Sequence, residues 1–122
     1  MSEVRIKRAY DPPSNEDGTR ILVDRLWPRG LKRDEAKIDL WLKDVAPSAE
    51  LRRWFAHDPV KWPEFQQRYR AELAGNAMLD ELLVLTTRHP RRVTLLFAAR
   101  DTIHNHAAVL QALCEQGSDY AR

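Results

Sequence analysis

The sequence has little of what marks secreted or membrane proteins. Its 122 residues include one cysteine, Cys114, which excludes an intrachain disulfide. It has no apolar stretch near Met1 and no run of about 18 apolar residues, which argues against secretion and membrane spanning. A chain of this length buries roughly two-thirds of its unfolded surface and needs no structural metal. We expect one cytoplasmic domain, residues 1–122, without membrane contact.

The charge balance is also too small to make the whole surface a nucleic-acid binder. Lys and Arg number 20 against 18 Asp and Glu, for a net charge of +2. The two ends of the chain are basic and the middle is acidic. Most of the basic residues are arginine, whose planar guanidinium suits bidentate anion binding, although codon usage produces the same bias.

The apolar pattern predicts an α/β fold. Strands are expected at residues 4–8, 21–23 and 93–98, and helices at about 48–55 and 77–88. Between these helices, the stripe Trp62, Phe65, Tyr69 and Leu73 predicts another, with its regular part beginning at Pro63 and its end near Gly75-Asn76. A final helix is expected from Asp101 or Thr102 to about Glu115, with Gly117 as its stop. Residues 38–42 fit a strand or a helix. The alternation of strands and helices predicts a small single domain with a partly parallel sheet and helices packed on it. It does not determine the order of the strands in the sheet.

Ligands of such sheets bind beyond the carboxyl ends of the strands. Residues 24–30 and 99–106 have that position, and they meet if their strands are parallel neighbours. The pocket would then hold Arg25, Arg29 and Arg100 beside a helix N-terminus, a combination that favours anions. Alternatively, these arginines pair with Asp24 and Asp101 and only fix the loops.

Two histidines of the second segment could move a proton. One of His104 and His106, oriented by Asp101, would act as general acid or base. Alternatively, one packs against the sheet and the other faces water. Side chains two residues apart on a helix point roughly 200° apart, so both cannot ligate one metal ion there, and we expect no metal. Whether His57 joins the site stays open.

The other residue types that could form a functional site give weaker indications. Cys114 lies on the apolar face of the last helix and is predicted to be core. Trp27, beside Pro28, either walls the pocket or wedges into the core. With only 4 glycines the chain has no Gly-rich phosphate loop, and no cofactor is expected.

Several longer motifs resemble a known family. They are Lys7-Arg8-Ala9-Tyr10-Asp11-Pro12-Pro13, Val23-Asp24-Arg25-Leu26-Trp27-Pro28-Arg29-Gly30, Ala46-Pro47-Ser48, Trp54-Phe55-Ala56-His57-Asp58-Pro59 and Ala98-Ala99-Arg100-Asp101 with His104-Asn105-His106. Together they resemble the YeaO-like branch of the domain-of-unknown-function family 488 over nearly the whole chain. The resemblance implies no particular reaction.

The resemblance does imply a shared site. It adds weight to Asp24, Arg25, Trp27, Pro28, Arg29, Gly30, Arg100, Asp101, His104, Asn105 and His106. Other branches are similar in layout but have a Cys-His pair where this chain has Asn105-His106. If that thiol does chemistry in those branches, this chain has lost it, and Asn105 could only bind or orient.

We therefore expect an anion-binding pocket for a small phosphorylated or carboxylated molecule, with or without turnover. The expected ligand contacts are Arg25, Trp27, Arg29, Gly30, Arg100 and Asn105, and the expected proton-transfer residues are His104, His106 and Asp101. The rival hypothesis is a nucleic-acid-binding or regulatory module that uses the basic ends and stacks Trp27 on a base. Its basic residues would be Arg5, Arg8, Arg88, Arg91 and Arg92. The acidic centre counts against it, and the oligomeric state stays open.

Overall fold

The computed structural model describes residues 3–88 and 92–120. The strands of this part are β1 (Val4–Arg8), β2 (Thr19–Leu22), β3 (Leu40–Trp41) and β4 (Val93–Phe97). The α-helices are α1 (Arg33–Ala36), α2 (Ala49–Phe55), α3 (Trp62–Leu73), α4 (Ala77–Arg88) and α5 (His106–Tyr120). None of the described helices is both long and apolar enough to cross a membrane.

The four strands form one sheet in the order β1-β4-β2-β3, and all neighbouring pairs are parallel. The predicted α/β class is confirmed. Leu95 of β4 pairs with Ile6 of β1 on one side and with Ile21 of β2 on the other. Because β2 and β4 are parallel neighbours, their carboxyl ends lie side by side, as the site hypothesis requires.

The two faces of the sheet are covered differently. Val93, Leu95 and Phe97 of β4 belong to the main core, which α2, α3, α4 and α5 complete. Leu96 belongs to a smaller cluster on the opposite face, where the chain between β2 and β3 packs with Trp27 and Trp41. Every residue of β4 is therefore buried, which explains its continuous apolar run.

One glycine is required for the sheet to form as it does. Gly18 has a φ of 66°, and an added Cβ would lie 1.9 Å from the Arg92 carbonyl oxygen. The next residue, Thr19, donates its backbone N–H to that same oxygen at 2.9 Å. A side chain at position 18 would thus push β2 away from β4 where their pairing begins.

Helix α5 differs from its prediction at both ends. It begins at His106, not at Asp101 or Thr102, because two caps act in succession. Asp101 accepts the N–H groups of Ile103 and His104 in a separate turn, and Asn105 then caps the helix by accepting the Ala108 N–H at 3.0 Å. The helix also continues past Gly117, since glycine inside a helix costs only about 1 kcal/mol.

Candidate functional site

A cavity of about 850 Å³ lies at the carboxyl ends of β2 and β4. Its walls come from the segments after these strands, from helix α2 with its flanking residues, from one residue of α3 and from the start of α5. The lining residues are Asp24, Arg25, Ala46, Pro47, Arg52, Arg53, Phe55, His57, Phe65, Ala98, Ala99, Arg100, Asp101, His104, Asn105 and His106.

Asp24 joins the three elements that meet at the cavity. Its Oδ2 accepts the backbone N–H of Ala98 at 3.0 Å, which ties the end of β2 to the end of β4. His106, the first residue of α5, places Nε2 3.1 Å from the Val23 carbonyl oxygen and 3.0 Å from Asp24 Oδ1. The hydrogen bond runs to Val23, and Asp24 Oδ1 lies close to Nε2 without its own aligned hydrogen bond. Since both neighbours are acceptors, Nε2 carries the proton.

A second carboxylate and histidine pair lies in the turn after β4. Asp101 accepts the backbone N–H groups of His104 and Ile103, and its Oδ2 lies 2.9 Å from His104 Nδ1. These hydrogen bonds, with that from the His104 backbone largest, lower the pKa of Asp101 to about 2. The carboxylate favours the proton on Nδ1 of His104, so Nε2 is the acceptor of the neutral ring. His104 and His106 therefore hold their protons on opposite nitrogens.

His104 does not lie on the helix, which corrects the geometry assumed from the sequence. It precedes the α5 cap and lines the same cavity as His106. His57 also lines this cavity, which answers the question left open by the sequence. It follows α2 in a left-handed backbone conformation, with a φ of 57°. Its place in the cavity could not be inferred from spacing, because α2 and α5 are far apart in the sequence.

Aromatic side chains of α2 and α3 lie behind the three histidines. The His57 ring lies 6.5 Å from Phe55, that of His104 lies 5.5 Å from Trp62, and that of His106 lies 6.4 Å from Tyr69, measured between centroids. Tyr69 is buried and donates its hydroxyl to the Val45 carbonyl. Burial, helped by the negative charges of Glu72 and Asp24, raises its pKa well above 10. Tyr69 thus stays a neutral structural donor.

Four arginines line the cavity. Arg25 is half-buried and donates from Nη2 to the Ala46 carbonyl at 3.1 Å, while its buried Nε has no hydrogen-bond partner in the part of the chain that the structure describes. Arg52, Arg53 and Arg100 are exposed. Among the described residues, none of the four guanidinium groups has a carboxylate oxygen within 4.0 Å. Asp24 and Asp101, the partners considered from the sequence, contact His106 and His104 instead.

Arg52 and Arg53 are site residues that the sequence argument missed. The available signal was their position in the last turn of the predicted helix, away from the apolar positions Leu51 and Phe55. That pattern ordinarily indicates a solvated helix face. Only the packing of α2 beside the strand ends turns it into a cavity wall.

Three other predicted site residues do not line this cavity: Trp27, Arg29 and Gly30. The Trp27 ring packs edge-on against Trp41 at 5.6 Å, and its Nε1 donates to the Leu31 carbonyl at 2.7 Å. Trp27 belongs to the cluster on the opposite face of the sheet, so of the two alternatives left by the sequence the structure has the core wedge and not the pocket wall. Arg29 is exposed, and its carbonyl accepts the Tyr10 hydroxyl at 2.8 Å. The chain turns away after Arg25 because Trp27 packs on that opposite face.

Asn105 lines the cavity, and both ends of its side-chain amide make hydrogen bonds to the backbone. It is 3% exposed, its amide nitrogen donates to the Asp101 carbonyl at 3.0 Å, and its oxygen caps α5. The side chain thus fixes the turn that carries His104 between two caps. Within the described part of the chain, no group of three or more His, Cys, Asp or Glu is placed to hold a metal ion.

Comparison with known proteins gives the family. A family model described as the inactive DUF488-N3 subclade matches residues 3–121. The chain belongs to this subclade. An uncharacterised protein of Mycobacterium tuberculosis (strain H37Rv) is 46% identical over 112 residues, which cover 92% of this chain and 93% of that protein. The uncharacterised protein YeaO of Escherichia coli K12 is 44% identical over 108 residues, or 88% and 92% of the two chains. No solved structure matches the chain.

The only cysteine of this DUF488-N3 chain lies away from the cavity lining. Cys114 is buried in α5, which confirms its prediction as a core residue. Burial raises the pKa of its thiol to about 11. The position next to His106, where the resemblance puts a cysteine in other branches, is occupied by Asn105. The cavity therefore offers histidine, carboxylate and guanidinium groups, but not a thiol.

Proposed function

We propose that the cavity binds the anionic group of a small phosphorylated or carboxylated molecule, and that the protein acts by binding it without turnover. The observation that carries this proposal is the excess of positive charge. Four guanidinium groups line one cavity, and its two carboxylates are each held by a histidine. Binding without turnover is supported by the description of the subclade as inactive and by the thiol buried outside the lining.

Arg20, which is buried, shows what the half-buried Arg25 lacks. Arg20 is 4% exposed, and its guanidinium meets the Asp17 carboxylate at 2.5 Å. Buried charges are normally paired in this way, because taking an isolated charge out of water is costly. Among the described residues, the Arg25 guanidinium donates to backbone carbonyls and has no carboxylate within 4.0 Å, so no described side chain neutralises its charge. A bound anion would supply the missing negative charge and would be held by charge-assisted hydrogen bonds.

The test measures anion affinity by calorimetry at constant ionic strength, with phosphate, phenyl phosphate and benzoate as ligands. The variants are Arg100→Gln and Arg53→Gln, whose side chains are exposed, so that folding is preserved. Each should weaken anion binding roughly fivefold, in line with about 1 kcal/mol for an exposed charge contact. The matched control is Arg33→Gln, because Arg33 lies over the Trp27 ring at 4.3 Å and not in the cavity. Equal losses in all three variants, or no anion binding at all, would refute the proposal.

The structure offers little support for the rival nucleic-acid hypothesis. Arg5 and Arg92 both pair with Glu3, and Arg8 donates to the carbonyls of Ala98 and Ala99. Trp27, the proposed stacking residue, is held in the opposite cluster. Arg91 and the side chain of Arg88 lie outside the described residues. The salt dependence of binding separates the two hypotheses, since each neutralised phosphate of a nucleic acid adds about 0.7–0.9 to the log-log slope.

A further inference from the structure

The cavity is much larger than an inorganic anion requires. Its volume of about 850 Å³ compares with a share of about 30 Å³ per molecule in liquid water. It lies in the upper part of the range of roughly 300–1,000 Å³ that is typical of pockets for organic ligands. An inorganic phosphate would fill only a small part of it. The remaining space is large enough for an organic group attached to the anionic group.

The cavity has positively charged side chains where it meets solvent and apolar side chains in other parts of its wall. The three arginines that are exposed, Arg52, Arg53 and Arg100, place positive charge where the cavity meets solvent. The rest of the wall contains six apolar residues, which are Ala46, Pro47, Phe55, Phe65, Ala98 and Ala99. All of these are buried or half-buried. A ligand that matches both parts has a charged end and an apolar body.

The aromatic side chains of this wall favour a ligand whose apolar part is flat. Phe55 and Phe65 lie with centroids 4.4 Å apart, and the rings of His57 and His104 stand against the same aromatic group. Aromatic rings pack on one another in stacked or edge-to-face arrangements that contribute beyond their buried area. Ala98 and Ala99 line the same cavity, and their small side chains take up little of its space. A ring fits this space better than a flexible polar chain does.

We propose that the ligand is an organic anion with a flat, largely apolar body, that is, an aromatic phosphate or carboxylate. This inference rests on the proposed function. The anionic group lies at the exposed arginines, and the ring lies between the alanines that follow β4 and the aromatic wall. The ring nitrogen acceptor of His104 and the donors of Arg25 stand ready for polar atoms on the edge of the ring.

The first experiment compares five probes by calorimetry at constant ionic strength. Phenyl phosphate has the charge and the ring, inorganic phosphate lacks the ring, ribose 5-phosphate has a polar body, benzyl alcohol lacks the charge, and benzoate exchanges phosphate for carboxylate. We expect phenyl phosphate or benzoate to bind at least about tenfold more tightly than the three probes that lack one feature, since burying a ring removes much apolar area from water. The better of these two ligands identifies the charged group.

Variants then locate the two ends of the ligand. Ala99→Leu fills part of the apolar space, so it should lower the ratio of phenyl phosphate to inorganic phosphate affinity at least about fivefold. Arg100→Gln should weaken both anions by a similar factor and leave the ratio unchanged, whereas Arg33→Gln should change neither. Because the ratio is measured on one protein, partial destabilisation of Ala99→Leu cancels, and circular dichroism checks that the variant is folded.

The outcomes separate this inference from the proposed function. If inorganic phosphate binds as tightly as phenyl phosphate and is weakened by Arg100→Gln, the anion site stands and the ring site is refuted. Tight binding of benzyl alcohol would refute the requirement for charge. An unchanged affinity ratio in folded Ala99→Leu would overturn the placement of the ring. Failure of all the anions to bind would refute both proposals.

Discussion

Asp24→Asn tests whether one carboxylate holds the site together. The two oxygens of Asp24 face two donors, the Ala98 N–H at 3.0 Å and His106 Nε2 at 3.0 Å. Asparagine has the same shape but only one acceptor oxygen. In either orientation its NH₂ group faces an N–H donor, and no rotation of the amide satisfies both contacts. The side chains of Asp24 and His106 are only 16% and 14% exposed, so water cannot readily replace the lost acceptor.

The expected cost follows from the new NH₂ group, which stands beside another donor in a largely buried place and has no acceptor there. A buried donor left unsatisfied costs about 1–3 kcal/mol. For a domain of this size, that loss should lower the midpoint of thermal unfolding by roughly 5–15 °C. The Ala98 amide should also exchange its hydrogen faster, because its acceptor is shared between two orientations of the new side chain.

Asp39→Asn is the matched control. Asp39 accepts one backbone N–H, that of Arg20, at 2.8 Å through Oδ2, and it is exposed. The single carbonyl oxygen of asparagine can keep that hydrogen bond, so the variant should lose less than about 1 kcal/mol. Urea and thermal unfolding of the three proteins provide the comparison. A free energy of unfolding of Asp24→Asn within about 0.5 kcal/mol of the parent chain would contradict this role of the carboxylate. An equal loss in the control variant would contradict it as well.

Three further predictions concern other parts of the chain. Gly18→Ala should lose more than about 3 kcal/mol because its Cβ meets the Arg92 backbone, whereas Gly75→Ala, with a similar positive φ but open space, should lose only about 1–2 kcal/mol in urea unfolding. The carboxylate of Asp101 should contribute stability that is present above the unfolded pKa near 3.8 and is lost as the pH falls through about 2; Asp101→Asn should flatten the stability profile between pH 4 and pH 2, and an unchanged profile would count against the hydrogen bonds described. Cys114, whose pKa is raised to about 11, should resist alkylation by iodoacetamide at pH 8 in the folded protein and react after unfolding; rapid reaction of the folded chain would contradict its burial.

The elements that the sequence predicted well are those whose signal is local. The stripe of Trp62, Phe65, Tyr69 and Leu73 predicted α3, which begins at Trp62 and ends at Leu73, slightly before the expected stop near Gly75. Helix α4 begins and ends at the expected residues Ala77 and Arg88. The errors at α5 arose because Asp101 and Asn105 are both good capping residues. The sequence shows two possible starting points for the helix, and only the preceding turn, which Asp101 closes on its own, decides between them.

The location of the candidate site was predictable from the sequence, but only some of the residues that line it were. That loops after two parallel strands meet follows from the α/β pattern, and the pairing of β2 with β4 confirms the geometry. Arg25 and Arg100 do line the cavity, with Asp101, His104 and His106. Their roles in binding or proton transfer stay predictions. Arg29 and Trp27 were placed by their closeness in sequence to Arg25, and a turn of a few residues was enough to separate them.

The sequence by itself determined the α/β class, the strands, most helix boundaries and the end of the sheet where the cavity lies. These depend on apolar periodicity and on capping and turn residues, which act over a few positions. Only the tertiary structure decided that His57, Arg52 and Arg53 join the cavity, and that Asp24 and Asp101 contact histidines and not the arginines of the cavity. Those choices depend on the direction of each side chain after its strand or helix ends, and that direction is set by packing against residues far away in the sequence.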